Sequence, residues 1–416
     1  MILNLSQLSS SRMTRIFSRI SSLAPYAWST SDQAIAGVGN ALLLSQLARG
    51  MDAASFGEVG FVYTIVLLVV SAFRASTSDI VLSLSRTDQR HEIDDAPLRP
   101  PILIVAIVCV IAGALIEVLI TPSAIGLMVM SLGVILIQDK LRYEWICRKL
   151  VRRAFYMDAS WFFFQVALLF LLGDSIVHPK PAEAIGAWTA GALLSLVFSR
   201  HLLTRLDVSA SMEWVRKNYS KSLTSGGQSL VVNGATIAPI VIFGILREPH
   251  WIGAFVVANS VTGIQPLVTN GIRPLAFRKF ADDERTHHPR ALLRMCGLAS
   301  IASLLAGLIS IVIMEAFGHT IYGTAATIGI GITYWIVLKQ IVGTSSMLLL
   351  GVLRARGRWT SGLSGEILTT IISFTLMLAA GLILGAEFVI PFQLIGSVVS
   401  LGIWSVLVAR SRRKTI

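Results

Sequence analysis

The sequence predicts an all-α, polytopic membrane protein of about twelve transmembrane helices, and three observations predict it. Hydrophobic residues make up 54% of the 416 positions and charged residues only 14%, against about 25% in soluble domains, and the mean hydropathy is +0.72. Apolar runs of about twenty residues recur along the chain, and at about 1.5 Å per residue each can cross a hydrocarbon core about 30 Å thick. The Lys and Arg residues gather in alternate intervals between those runs. A barrel is excluded because the runs lack the alternation, about ten residues long, of a membrane strand.

The elements follow in order. The first span, 27–48, ends at a short turn near Asp52, and the second, 56–83, runs to an interval holding Arg86, Arg90 and Arg99. Spans 101–120 and 122–141 meet near Ser123, and the fourth gives way to Lys140, Arg142, Arg148, Lys149, Arg152 and Arg153. Spans 155–177 and 184–204 flank Lys180, and Arg200, Arg205, Arg216, Lys217 and Lys221 follow them. Spans 223–246 and 251–275 meet at Glu248, ahead of a basic interval from Arg273 to Arg294. Spans 292–315 and 325–352 meet near Gly318 and lead to Arg354, Arg356 and Arg358. Spans 361–384 and 389–409 meet near Glu387 before the basic tail.

With the N-terminus in the cytoplasm, every basic interval is internal. These intervals hold 30 of the 35 Lys and Arg; Arg49, Lys180 and Arg247 lie outside, and Arg74 and Lys339 lie within spans. One missed helix would invert every later loop, so the asymmetry supports the span count and puts both termini in the cytoplasm. The chain then divides into a leader at 1–26, a first lobe at 27–205, a linker at 206–222, a second lobe at 223–409 and a basic tail at 410–416. The leader has no continuous apolar core before a small-residue cleavage site, so no cleavable signal is predicted. Its Arg12, Arg15 and Arg19 alternate with Ile16, Phe17 and Ile20, which fits either a short amphipathic helix on the membrane or a frayed end.

The net charge of +12 does not point to nucleic acid, because the charges sit at membrane boundaries. Cys109, Cys147 and Cys296 are too dispersed for a disulfide framework, and the seven histidines lack metal-site spacing, so no metal or other cofactor is predicted. The chain contains no GxxxxGK[ST] loop, and the outer loops are too short to house glycan chemistry. The reading is a transporter and not an enzyme. Uphill movement would draw on H+, Na+ or the membrane potential.

Two stretches share an outline at an offset of about 195 residues. SDQAIAGVGNALLLSQLARGMDAASFGEVGFV (31–62) and GGQSLVVNGATIAPIVIFGILREPHWIGAFVV (226–257) each carry Gln33 or Gln228 near the start, a span, a short turn, and then Phe56-Gly57 or Ile252-Gly253. LRYEWICRKLVRRA (141–154) and LRARGRWT (353–360) are basic hinges at matching places. A repeat of six spans gives two halves of the same orientation about an axis along the membrane normal, with substrate between them near the midplane. Recurrence of small residues and cytoplasmic arginines in any polytopic protein is the other explanation.

The runs DQAIAGVGNALLLSQLARGMDAASFGEVGF, RASTSD and IQDKLRYEWICRKLVRRAFYMDASW resemble the polysaccharide flippases of the multidrug/oligosaccharidyl-lipid/polysaccharide exporter superfamily. The resemblance implies two six-helix lobes around a V-shaped central cavity. It also implies a polyprenyl-diphosphate-linked oligosaccharide as cargo, moved by alternating access across a bacterial inner membrane. Membrane lipids and a polysaccharide polymerase or export machinery would be the partners. A cation-coupled multidrug exporter on the same fold is the nearest alternative, followed by a lipid II flippase.

Lys339, in WIVLKQIVGTSS, stands mid-span, where an ammonium costs at least about 2.5 to 3.5 kcal/mol unless it faces water, protein or an anion. It shares a helical face with Trp335, Gly343 and Ser346, beside Gln340. It either contacts a diphosphate or acidic glycan, or pairs with a carboxylate of another span. Arg74, in FRASTSDI with Asp79, either meets cargo or snorkels to the cytoplasmic surface. Asp32 and Gln33 either gate the cavity, pair with Arg74 or couple a cation, or else cap a helix. Asp139, Arg142 and Asp158 form a cytoplasmic gate or a structural ion-pair network. Gln228, Asn233, Asn259 and Gln265, with Pro239, Pro266 and Pro274 nearby, either line a wet cavity or join helices.

Overall fold

The computed structural model describes residues 28, 31–78, 80, 99–119, 124–148, 150–172, 180–199, 208–266, 289–355 and 359–413. The leader, Asp79 and residues 414–416 lie outside them, so the amphipathic-helix reading of Arg12–Ile20 does too. Among the described residues there are twelve main helices and no strand. They are α1 (31–50), α2 (Ala53–Ser76), α3 (Arg99–Leu119), α4 (Ala124–Cys147), α5 (Val151–Leu172) and α6 (Pro181–Ser195), the last continued by a 3-10 turn at Leu196–Ser199. The second set is α7 (Val208–Ile245), α8 (Pro249–Val261), α9 (Pro289–Tyr322), α10 (Ala325–Ala355), α11 (Trp359–Ile383) and α12 (Val389–Arg413). Among the described residues, ten helices are long and apolar enough to cross a membrane.

Local chemistry sets several ends. Asp52 caps α2, its carboxylate accepting from the backbone N–H groups of Ala54 and Ser55 at 3.0 and 3.1 Å. Pro181 and Pro249 open α6 and α8, where the missing N–H would have had no partner. Gly323, at φ +58°, makes the turn between α9 and α10 that a side chain would strain.

Hydropathy misplaced ends where polar helix continues past apolar helix. Residues 206–222, read as a linker, become from Val208 onward the opening turns of the 38-residue α7. Pro239 sits inside this helix without ending it. Likewise α9 reaches Tyr322 and α4 reaches Cys147, each several residues beyond its apolar run. Conversely, the eighth span is interrupted by a turn at Thr262–Gly263.

The outer faces show which solvent the fold is built for. Ile104, Val108, Ile111 and Leu115 recur at helical spacing on α3, each more than half exposed. A soluble protein would bury that stripe; here it faces the bilayer.

Inside, α4 is the hub of the first half, packing on α2, α3, α5 and α6, whereas α10 plays that part in the second half, against α8, α9, α11 and α12. The halves join where α2 packs on α7 and α8. Phe56, Val59, Tyr63, Ile252, Phe255 and Val256 belong to one continuous buried core across that joint.

The matching glycines of the two repeats meet there. A Cβ on Gly57 would run into the carbonyl of Pro249 and approach the Gly253 nitrogen, while one on Gly253 would meet the Phe56 ring and approach the Gly57 nitrogen. Equivalent positions touching reciprocally are what an internal two-fold axis produces. At the same end, Ser45 Oγ and Arg49 Nε of α1 donate to the Ile321 carbonyl at 2.7 and 2.9 Å. The end bearing the turns at 51–52, 246–248 and 323–324 is therefore closed between the halves.

Candidate functional site

Behind this seal a cavity of about 310 Å³ opens between the halves. Its walls come from α1 (Gly37, Asn40, Leu44), α2 (Tyr63 to Ser71), α7 (Asn233 to Ile240) and α8 (Phe255 to Ser260). The composition is mostly apolar with a few amides and hydroxyls, and the volume suits a small molecule or a segment of a larger one. All the described residues that line it are uncharged.

Two residues singled out from the sequence line it, Asn233 and Asn259. Asn233 Nδ2 donates to Ser71 Oγ of α2 at 2.9 Å, a contact between the halves. Asn40, Tyr63, Thr64 and Ser71 also line it and were not singled out. A signal existed, because Gln33 and Asn40 are two turns apart on α1, as are Thr64 and Ser71 on α2. Only the packing shows that these faces meet.

The other amides hold helices together. Gln265 is buried and donates to the Ser303 carbonyl on α9 at 2.9 Å, pinning the chain just after the interruption of α8. Gln340 Nε2 of α10 lies 3.4 Å from Thr262 Oγ1. Gln228 Nε2 donates to Glu366 Oε2 at 3.1 Å, joining α7 to α11. Glu366, a buried carboxylate, escaped the sequence reading because no charged neighbour marked it.

The acidic and basic candidates converge in the interior of the first half. Arg142 of α4 places its guanidinium between Asp32 of α1 and Asp158 of α5: it donates to Asp32 through Nε at 3.0 Å and through a shorter second bond, and its Nε lies 2.9 Å from Asp158 Oδ2. Gln138 donates to Asp158 at 2.7 Å. Arg74 makes a two-pronged pair with Asp139, at 2.6 and 3.1 Å, and stacks over Tyr143. Of the sequence readings, the pairing of Asp32 with Arg74 is not what forms: Asp32 goes to Arg142, which reaches it from α4, and Arg74 goes to Asp139. Gln33 is half-buried beside Asp32 and makes no hydrogen bond in this network among the described residues, and Asp79 lies outside them. The arrangement ties α1, α2, α4 and α5 together through charge, and none of its charged residues lines the inter-half cavity.

Lys339 is not among the residues lining that cavity. It is half-buried on α10, with no hydrogen bond or ion pair to any described residue. Gly343 and Ser346, on its helical face, line a smaller recess of about 190 Å³ inside the second half, together with Glu366, Thr369, Ser397 and Ser400.

The sequence matches no protein-family model and no curated protein. Solved structures do match the fold. An inward-facing multidrug resistance MATE family transporter of the MOP superfamily superposes with a TM-score of 0.69 at 12% identity, covering 93% of this chain and all of the other. The lipid II flippase MurJ, in an inward closed conformation, gives 0.67 at 9% identity, covering 91% and 86%. The eukaryotic MATE transporter AtDTX14 gives 0.60 at 13% identity, covering 94% and 97%. The likeness shows the fold, which is all-helical and shared with these structures.

Proposed function

We propose that this protein is a flippase that moves a polyprenyl-diphosphate-linked oligosaccharide across a bacterial inner membrane by alternating access, during polysaccharide biosynthesis. The observation that carries the reading is the cavity between two pseudo-symmetric halves, closed at one end by the contact of Gly57 with the α8 start. A site enclosed by two bodies of matching fold can be offered to either side by rocking one against the other. The similarity to the MATE and MurJ structures supports transport, and the sequence resemblance supports the glycan. The protein makes no covalent change to its cargo.

The two alternatives on this fold are a cation-coupled multidrug exporter and a lipid II flippase. The uncharged wall weighs against cationic drugs, which would want a carboxylate where they bind. The buried carboxylates around Arg142 offer a place for H+ or Na+ to act; the membrane potential is the other source of drive.

Lys339 is the mid-span cation available to a phosphate of the cargo. Reconstitution into vesicles with a lipid-linked oligosaccharide tests both statements, by measuring how much becomes accessible at the opposite leaflet. Lys339→Arg retains part of the wild-type rate and Lys339→Gln loses most of it. Recovery in a Lys339→Gln, Glu366→Gln double variant would instead make the lysine one side of an ion pair. No movement of the lipid by the wild type would remove the flippase reading.

A further inference from the structure

Three carboxamides from three helices meet on the inter-half cavity: Asn40 on α1, Asn233 on α7 and Asn259 on α8. Asn40 Oδ1 accepts from Trp188 Nε1 at 3.3 Å, which orients the amide and leaves its nitrogen as a donor. Asn233 donates to Ser71 and Ser229, so its oxygen is the acceptor it offers. The Asn259 side chain has no hydrogen-bond partner among the described residues and offers both.

A wall of this kind discriminates by chemistry. A sugar hydroxyl both donates and accepts, so it can exchange its water for carboxamides in either role. A carboxylate, phosphate or ammonium would shed its hydration with no counter-charge on the described wall.

We propose that this cavity reads the uncharged sugar portion of the cargo, with Asn40, Asn233 and Asn259 as specificity-determining residues, and rejects acidic sugars. The proposal rests on the flippase reading and narrows its substrate class. At about 310 Å³ the cavity holds a short stretch of glycan and not the whole lipid-linked molecule.

The test uses the full chain in phosphatidylethanolamine/phosphatidylglycerol vesicles and two synthetic probes on the same polyprenyl diphosphate. One carries a disaccharide of neutral hexoses, the other a disaccharide ending in a uronic acid. Oxidation of the sugar by membrane-impermeant periodate reports how much has crossed. The wild type should move the neutral probe faster by on the order of tenfold or more. The isosteric Asn259→Asp should slow the neutral probe severalfold and the acidic one further. Asn259→Lys should shift the ratio towards the acidic probe. Equal wild-type rates, or a ratio that neither variant alters while both remain folded by circular dichroism, would overturn the proposal and leave the flippase reading standing. Movement of the acidic probe alone would overturn this proposal and leave the flippase reading standing; if neither probe moves, the flippase reading falls, and this proposal with it.

Discussion

Arg142 shows how much a single buried charge holds in this fold. Its guanidinium sits between Asp32 and Asp158, all three nearly out of reach of solvent, so removing it strands two carboxylates in a low-dielectric interior. Breaking one partner out of such a network typically costs about 3 to 5 kcal/mol. Arg142→Gln should therefore lower the unfolding midpoint in detergent sharply. Adding Asp32→Asn to it should restore part of the loss; a further drop would mean the pair is not coupled. Asp52 is the opposite case, exposed at the head of α2. A hydrogen bond from the Ser55 hydroxyl at 2.6 Å and others from the Ser55 and Ala54 backbone hold its carboxyl below the usual carboxylate range. A depressed folded pKa contributes stability that is fully present above the unfolded value, about 3.9, and is lost as pH falls through the folded one. The difference in melting temperature between wild type and Asp52→Asn should be constant near neutrality and shift against the wild type below about pH 4. A flat difference would remove the charge from the cap's role.

Between α2 and α8 the decisive feature is what is missing from two side chains. Gly57 and Gly253 let the helices approach until the backbone of one touches the other, and Gly60 leaves room for Val256 one turn further in. A Cβ at Gly57 would meet a backbone carbonyl, which cannot rotate away as a side chain could. Gly57→Val should thus wedge the halves apart at the turn end. Spin labels on Met51 and Arg247 would report this as a longer distance population in the variant, and an unchanged distribution would mean the seal does not depend on that contact. Periodicity located the helices well because each has to bury or expose a whole apolar run. It could not see that α7 begins at Val208, since its opening turns are polar helix outside the apolar run.

The molecule as a whole depends on asymmetry of charge and symmetry of fold. The 30-to-3 division of Lys and Arg between alternate intervals predicts that the turns near Asp52, Lys180 and Glu248 face outward. Single cysteines at Asp52 and Lys180 should react with an impermeant thiol reagent in intact cells, in a background lacking the three native cysteines. Reaction only after the membrane is opened would invert the assignment. The number of helices and their class were legible in the sequence because they depend on composition and order alone: twenty apolar residues must span lipid, and every polar backbone group must be satisfied within the helix. Residue types with a use inside a membrane were legible too, so Asp32, Asp139, Arg142, Asp158, Asn233 and Asn259 could be named. What each of them touches was not. Arg142 and not Arg74 reaches Asp32, Gln265 staples helices while Asn259 faces a cavity, and Lys339 stands apart from that cavity, although all are polar residues on apolar helices. Only the tertiary structure decided those roles, because the direction of a side chain about its helix axis acquires meaning only when neighbouring helices are in place.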